Sequence, residues 1–338
     1  MKKVQRLLIL SSICFSGLAS TATLIHGAGA TFPYPLYSKW FTDFQKVNPD
    51  VQINYQSIGS GGGIRQFTDR TIDFGATDTP MTDEQIKKVG EPMLHVPTAI
   101  GSVVLSFNLP GVKTLKLTGE LIAGIFLGEI TQWEDPRLKA INPDLSAKGS
   151  ILVIHRSDGS GTTGVFTDYL SKVSTPWKDK VGAGTAVNWP VGLGGKGNEG
   201  VAGLIKQTPQ SIGYIEYVYA KTNGLSVAQV KNKRGEFVEP TLKSLTAAAL
   251  SEISQMPKDY RLSLTQASGK GSYPISAFTY LLIRQDMSKS NKGQGLVAFL
   301  KWALSEGQSR AQTLEYAPLP PALIKRLEAT LQTIKVVP

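Results

Sequence analysis

Three short segments of this chain combine glycine with hydroxyl side chains ahead of a helical pattern: Gly27-Ala28-Gly29-Ala30-Thr31-Phe32, Gly59-Ser60-Gly61-Gly62-Gly63 and Asp158-Gly159-Ser160-Gly161-Thr162-Thr163. A helix start presents backbone N–H groups without intrahelical partners and the positive end of the helix dipole, and glycine lets an anion approach that backbone closely. Singly, each segment reads as a plain N-cap or turn. Together they point to a shared cradle for one oxyanion. The third segment adds Arg156, whose guanidinium binds an oxyanion through two parallel charge-assisted bonds, and Asp158, which can orient that guanidinium and limit its excess charge. The plain alternative for the pair is a surface salt bridge.

Other chemistries have less to stand on. Ser60 and Ser160 lie in glycine settings, but residue 58 is Ile and residue 158 is Asp, so neither sits in the G-x-S-x-G of a hydrolase nucleophile elbow. The histidines, His26, His95 and His155, show no metal-ligand spacing, and His155 beside Arg156 reads as a strand-lining residue. Gly195-Lys196-Gly197-Asn198-Glu199-Gly200 fits G-x-G-x-x-G. The stretch from Trp189 to Gly194 does not read as a strand, however, so the dinucleotide context fails and a glycine loop leading into a Val201–Lys206 helix is expected. No G-x-x-x-x-G-K-[ST] phosphate loop is present.

The elements that must position these residues alternate between strand and helix, which predicts an α/β architecture. Val51–Tyr55 alternates as a strand, Gly59–Gly63 reads as a flexible loop, Ile64–Arg70 as a helix, and Asp73–Ala76 as a short buried strand. The strongest strand patterns are Val103–Phe107 and Phe278–Ile283. Extended segments can hinge at their ends while keeping sheet pairing on either side, so these two are where the chain is expected to cross between lobes. One lobe is then 27–106 plus 276–338, the other 107–275. Helical spacing recurs in Leu296, Phe299, Leu300, Ala303 and Leu304, and in Leu323, Leu327 and Leu331 after Pro320-Pro321, placing two helices on the first lobe's outer layer.

Composition bounds the setting. The 338 residues carry 36 Lys+Arg against 26 Asp+Glu, a formal charge of +10, with 41% hydrophobic and 18% charged residues, which excludes intrinsic disorder. Lys2, Lys3 and Arg6 precede a mostly apolar run from Leu7 to Ala19 and small residues at Ser20 and Ala22, the pattern of a secretory signal peptide over 1–22. The run is too short to span a bilayer, and the processed chain is expected to be soluble. Processing removes three cations, no anions and the only cysteine, Cys14. Ile13 before that cysteine argues against lipidation, and a cysteine-free exported chain suits an oxidising compartment. The basic residues are scattered, with no cluster denser than Lys231, Lys233 and Arg234, so a solvated basic surface is expected, not nucleic-acid binding.

The motifs at 27–33, 58–63, 73–78, 156–162 and 189–198, in this order, closely resemble the periplasmic phosphate-binding protein of the high-affinity phosphate ABC transporter, over essentially the whole processed chain. The resemblance implies an α/β, two-lobed periplasmic binding fold of type II-like form, with the ligand cleft between two sheet-and-helix lobes joined by two crossover segments. It implies an exported receptor, acting as a monomer in the periplasm after cleavage behind Ala22 or Ala19, that delivers inorganic phosphate to the permease and ATPase subunits of an ABC importer. No cofactor, metal or covalent step is implied. Residue by residue, it carries phosphate contacts to Thr31, Phe32, Ser60, Asp78, Arg156, Ser160, Gly161 and Thr162, with Asp158 as the partner of Arg156. Many relatives carry a second Ser where this chain has Gly61, which removes one hydroxyl near the site. Asp78 would select a protonated oxyanion by accepting its O–H and repelling sulfate, whereas its plain alternative is to cap a helix beginning near Thr82. The rival within the same class is a receptor for sulfate, molybdate or an organic anion.

Overall fold

The computed structural model describes residues 22–337. The signal-peptide reading, with Cys14, falls almost entirely outside them. The main sheet has nine strands: β1 (Thr23–Gly29), β2 (Val51–Ser57), β3 (Phe74–Thr77), β4 (Met93–Asn108), β5 (Leu152–Arg156), β6 (Leu193–Gly195), β7 (Ser211–Glu216), β8 (Ser226–Val227) and β9 (Ser276–Arg284). Their order is β2-β1-β3-β9-β4-β7-β5-β6, with β8 also pairing β4. Around the site lie α1 (Tyr34–Val47), α2 (Ser60–Thr68), α3 (Asp83–Val89), α4 (Gly161–Val173), α5 (Gly197–Gln207), α6 (Tyr217–Thr222), α7 (Lys292–Leu304) and α8 (Pro321–Leu331).

The fold is α/β and two-lobed, and β4 is the element both lobes share. Its residues Met93–Ser102 run antiparallel to β9, and Val103–Asn108 then run antiparallel to β7. A strand of 16 residues whose centre is buried can serve two sheet halves, here with one bulge at Thr98, between the pairs Thr279–Ala99 and Tyr280–Pro97. On one side β1, β2 and β3 are parallel; on the other, β5, β6 and β7 are parallel. The helix at 292–304 buries Leu296, Phe299, Leu300, Ala303 and Leu304, and Phe299 packs its ring 5.2 Å from Phe41 and 5.4 Å from Phe44 of α1. The helix at 321–331 buries Leu323, Leu327 and Leu331, as the spacing predicts.

Two expectations are corrected. The segment 59–63 is not a loop: α2 begins at Ser60 and ends at Thr68, earlier at both ends than the predicted 64–70. Glycine's low helix propensity is overridden by packing, because a Cβ at Gly63 would lie 2.5 Å from Gly29 Cα. Leu193 and Gly194, the end of the 189–194 segment read as non-strand, belong with Gly195 to β6 at the sheet edge beside β5. Three residues are too short a run for periodicity to show. The first motif also begins inside a strand, since β1 starts at Thr23, directly after the predicted cleavage point.

Candidate functional site

Every predicted site segment leaves the carboxyl end of a parallel strand. Ala30-Thr31-Phe32 follows β1, Ile58-Gly59-Ser60 follows β2, Asp78 follows β3, Arg156 ends β5 with Ser160 beyond it, and Gly197-Asn198 follows β6. This is where an open α/β sheet gathers loops and helix starts that can bind a ligand. All eight predicted ligand residues are buried, Arg156 to 3% exposure and Ser60, Ser160 and Thr162 to 0%.

Arg156 is fixed by Asp158 in a two-pronged pair, Nε to Oδ1 at 2.8 Å and Nη2 to Oδ2 at 2.6 Å, with Nη1 donating to Thr162 Oγ1 at 3.3 Å. The pair is no surface salt bridge: the guanidinium side chain is 1% exposed. Burial opposes ionisation of Asp158, but the hydrogen bonds and charge of Arg156, with the Gly197 N–H, hold its carboxyl below the usual range.

The donor groups are set by local structure. Ser160 caps α4 by accepting from Thr163 N–H at 3.0 Å, which leaves its own O–H proton to offer. The N–H groups of Ser60, Gly161 and Thr162 sit in the first turns of α2 and α4, where no intrahelical acceptor exists. In the 30–32 segment three tyrosine hydroxyls hold the carbonyls: Tyr55 on Ala30, Tyr219 on Thr31 and Tyr316 on Phe32, each at 2.7 Å. The segment's oxygens are thereby turned away and its Thr31 hydroxyl and Phe32 N–H remain.

Asp78 is the acceptor among these donors. The register that pairs Thr77 with Tyr280 brings Asp78 alongside Thr279, whose hydroxyl donates to Oδ1 at 2.9 Å, and Oδ2 lies 3.5 Å from Ser60 Oγ. Burial pushes the Asp78 carboxyl up to about 7, against the pull of the Thr279 hydroxyl, the Arg156 charge and the Ser60 hydroxyl. It does not cap the helix near 82. Thr82 does so itself, in a capping box with Gln85.

The lobes touch directly across this cluster. Gly61 N–H donates to Gly159 O at 2.9 Å and Thr79 Oγ1 to Gly161 O at 3.1 Å. A Cβ on Gly161 would lie 2.5 Å from Asp78 Oδ2 and would clash with Ser60 Oγ, so only glycine permits this approach. His155 faces away, stacked 4.9 Å from Trp189.

The comparisons fit this geometry. Residues 16–307 match the model of the PBP superfamily domain. The chain is 43% identical over 335 residues to a phosphate-binding protein PstS of Haemophilus influenzae, covering 98% of each chain. The chain belongs to the PstS family. It is also 46% identical over 308 residues to a PstS of Xylella fastidiosa, covering 90% of this chain and 84% of that one. A solved structure of a high affinity periplasmic phosphate-binding protein, PfluDING, shares the fold with a TM-score of 0.72 at 20% identity, covering 91% of this chain and 93% of that one. At Gly61, where the sequence lacks a hydroxyl, a Cβ would meet Gly159 Cα at 3.1 Å, at the lobe contact.

Sequence reasoning missed several residues of this cluster. Thr279 and Tyr55 come from strands, Tyr219 from a helix and Tyr316 from the segment between the helices at 306–313 and 321–331, and only Thr279 left a trace, a hydroxyl within the apolar run Phe278–Ile283. Asn198 lay in a motif without a role, although it is buried among the ligand hydroxyls.

Proposed function

We propose that this protein is an exported receptor that closes two lobes on one inorganic phosphate and passes it to an ABC importer, with no covalent step. The observation that carries this reading is the make-up of the buried cluster: one guanidinium oriented by Asp158, several hydroxyl and N–H donors, and beside them a second carboxylate, Asp78, with no hydrogen bond to that guanidinium. Donors suit an oxyanion, and the carboxylate suits an oxyanion that keeps a proton. Sulfate has none at neutral pH, and facing an ionised Asp78 it leaves an unpaired buried acceptor, a penalty of about 1–3 kcal/mol or more. Thr31, Phe32, Ser60, Asp78, Arg156, Ser160, Gly161 and Thr162 are the ligands in this reading, and Asp158 orients Arg156. The relatives' names, phosphate-binding protein in each case, support it.

The lobes are 27–106 with 276–338, and 107–275; the start of β9 at Ser276 supports the second boundary, while β4 changes partner after Ser102, four residues ahead of the first. The start of β1 at Thr23 supports cleavage after Ala19 or Ala22, since either spares the strand. The receptor acts as a periplasmic monomer with permease and ATPase subunits as partners. Isothermal titration of phosphate-stripped protein at pH 7 tests the reading. Tight one-to-one phosphate binding without sulfate heat is expected; sulfate binding would move the chain to a sister transporter, and binding of neither would overturn the receptor role.

A further inference from the structure

Asn198, in the first turn of α5, is 0% exposed and every polar group of its side chain is engaged. Its Oδ1 accepts the backbone N–H of Glu216 at 2.9 Å. Its Nδ2 donates to Thr31 Oγ1 at 2.7 Å and to Thr162 Oγ1 at 3.2 Å. The orientation of the amide is decided by chemistry: a backbone N–H can only donate, so the atom facing Glu216 must be the oxygen and the NH2 must face the hydroxyls. Glu216 is itself pinned, as the last residue of β7, opposite Val103 of β4.

A hydroxyl that accepts from an N–H has its remaining proton to give. Thr31 Oγ1 accepts a second N–H, from the Asn198 backbone at 3.3 Å, and Thr162 Oγ1 accepts a second from Arg156 Nη1 at 3.3 Å. Both oxygens are therefore supplied with two donors, and both O–H groups are left as donors. The two hydroxyls belong to different lobes, Thr31 to the segment after β1 and Thr162 to α4, so the amide also bridges the closed cleft. The same turn reaches the arginine pair, since Gly197 N–H donates to Asp158 Oδ1 at 3.1 Å.

We infer that Asn198 is a positioning and specificity-determining residue of the anion site: its amide sets the Thr31 and Thr162 hydroxyls as donors to the oxyanion and joins the two segments that carry them. The inference rests on the phosphate reading above. Asn198→Asp is the sharp test because it keeps the shape and the acceptor for Glu216 while replacing the NH2 with an oxygen that takes the hydroxyl protons. Phosphate titration of wild type, N198D, N198A, T31V and N198A/T31V is the experiment, with thermal melts of each phosphate-free protein to confirm folding.

N198D is expected to bind phosphate about 100-fold more weakly than wild type, and N198A about 10-fold. The penalty of T31V should shrink to within about 2-fold in the N198A background, because Asn198 acts through that hydroxyl. Folded N198D and N198A proteins within about 3-fold of wild type would overturn the inference. So would an undiminished T31V penalty in N198A, which marks Asn198 as merely structural; this arm stands even where N198D does not fold. A wild type that binds no phosphate would instead overturn the receptor reading itself, which separates the two failures.

Discussion

Arg156 has five N–H donors; two are held by Asp158 and a third by Thr162, so two remain for an anion. Replacing it with Ala removes the buried cation and leaves Asp158 uncompensated, and phosphate affinity is expected to fall by more than about 1,000-fold in calorimetry. In the proposed site Asp78 governs selectivity through its charge. Because burial raises its carboxyl to about 7, acidification converts it from acceptor to donor, and sulfate affinity should rise as pH falls from 8 to 5.5. Competition titration across that range checks this, and pH-independent sulfate rejection would refute it. Asp78→Asn should admit sulfate at every pH. The same group affects folding. A carboxyl raised in the folded state contributes stability that is present below its unfolded value near 4 and lost as pH rises through 7. Phosphate-free Asp78→Asn protein should therefore be more stable than wild type at pH 8 by about 1–3 kcal/mol and gain little at pH 4, measured by denaturant melts; hydration of an open cleft keeps the gain below the full shift.

At the scale of elements, the site depends on where α2 and α4 begin. Ser160 caps α4 and, in the proposed site, offers its proton to the ligand, so its replacement by Ala should lower stability by about 1 kcal/mol and weaken binding together. Thr82→Ala separates the two effects: it removes a capping box of similar worth from α3 and should leave phosphate affinity unchanged. Gly161→Ala is the reverse case. The helix start tolerates alanine, but the added methyl meets Asp78 and Ser60 of the other lobe. Binding is expected to weaken by about 100-fold or more while the melting temperature of ligand-free protein changes little.

The whole molecule is held closed by bonds that cross from lobe to lobe: Gly61 to Gly159, Thr79 to Gly161, Asn198 and Tyr219 to Thr31, and the ion pair Lys221–Glu315. The bonds to Thr31 are buried and those of Gly61 and Thr79 partly so, and closure strengthens them by excluding water. Tyr219→Phe deletes one of them without touching the anion and should accelerate phosphate release by about 10-fold in stopped-flow measurements. The exposed ion pair should matter little. The charge, +10 for the whole sequence and +10 − 3 = +7 once residues 1–22 are removed, acts at long range only and is screened. Raising salt from 0.05 to 0.5 M should slow association while leaving release nearly unchanged, because the contacts that hold the anion are buried.

Glycine-hydroxyl motifs were legible because their chemistry is local: a strand end, a helix start and a few residues between them suffice to define a donor set. Arg156 and Asp158 are two residues apart, so their pairing could be read directly from the chain. The long apolar strands Val103–Phe107 and Phe278–Ile283 also declared themselves, through continuous hydrophobicity. Tertiary structure decided what lies on the far side of each group. No local pattern shows that α2 starts on glycines, since that choice answers to the Gly29 backbone it packs against. Nor does any show that Tyr55, Tyr219 and Tyr316 hold three successive carbonyls, or that Thr279 meets Asp78, 201 residues away. The direction of the Thr31 and Thr162 hydroxyls rests in turn on an amide oriented by Glu216. Chain chemistry determines which groups can donate; only the packing of remote strands and helices determines which way they point.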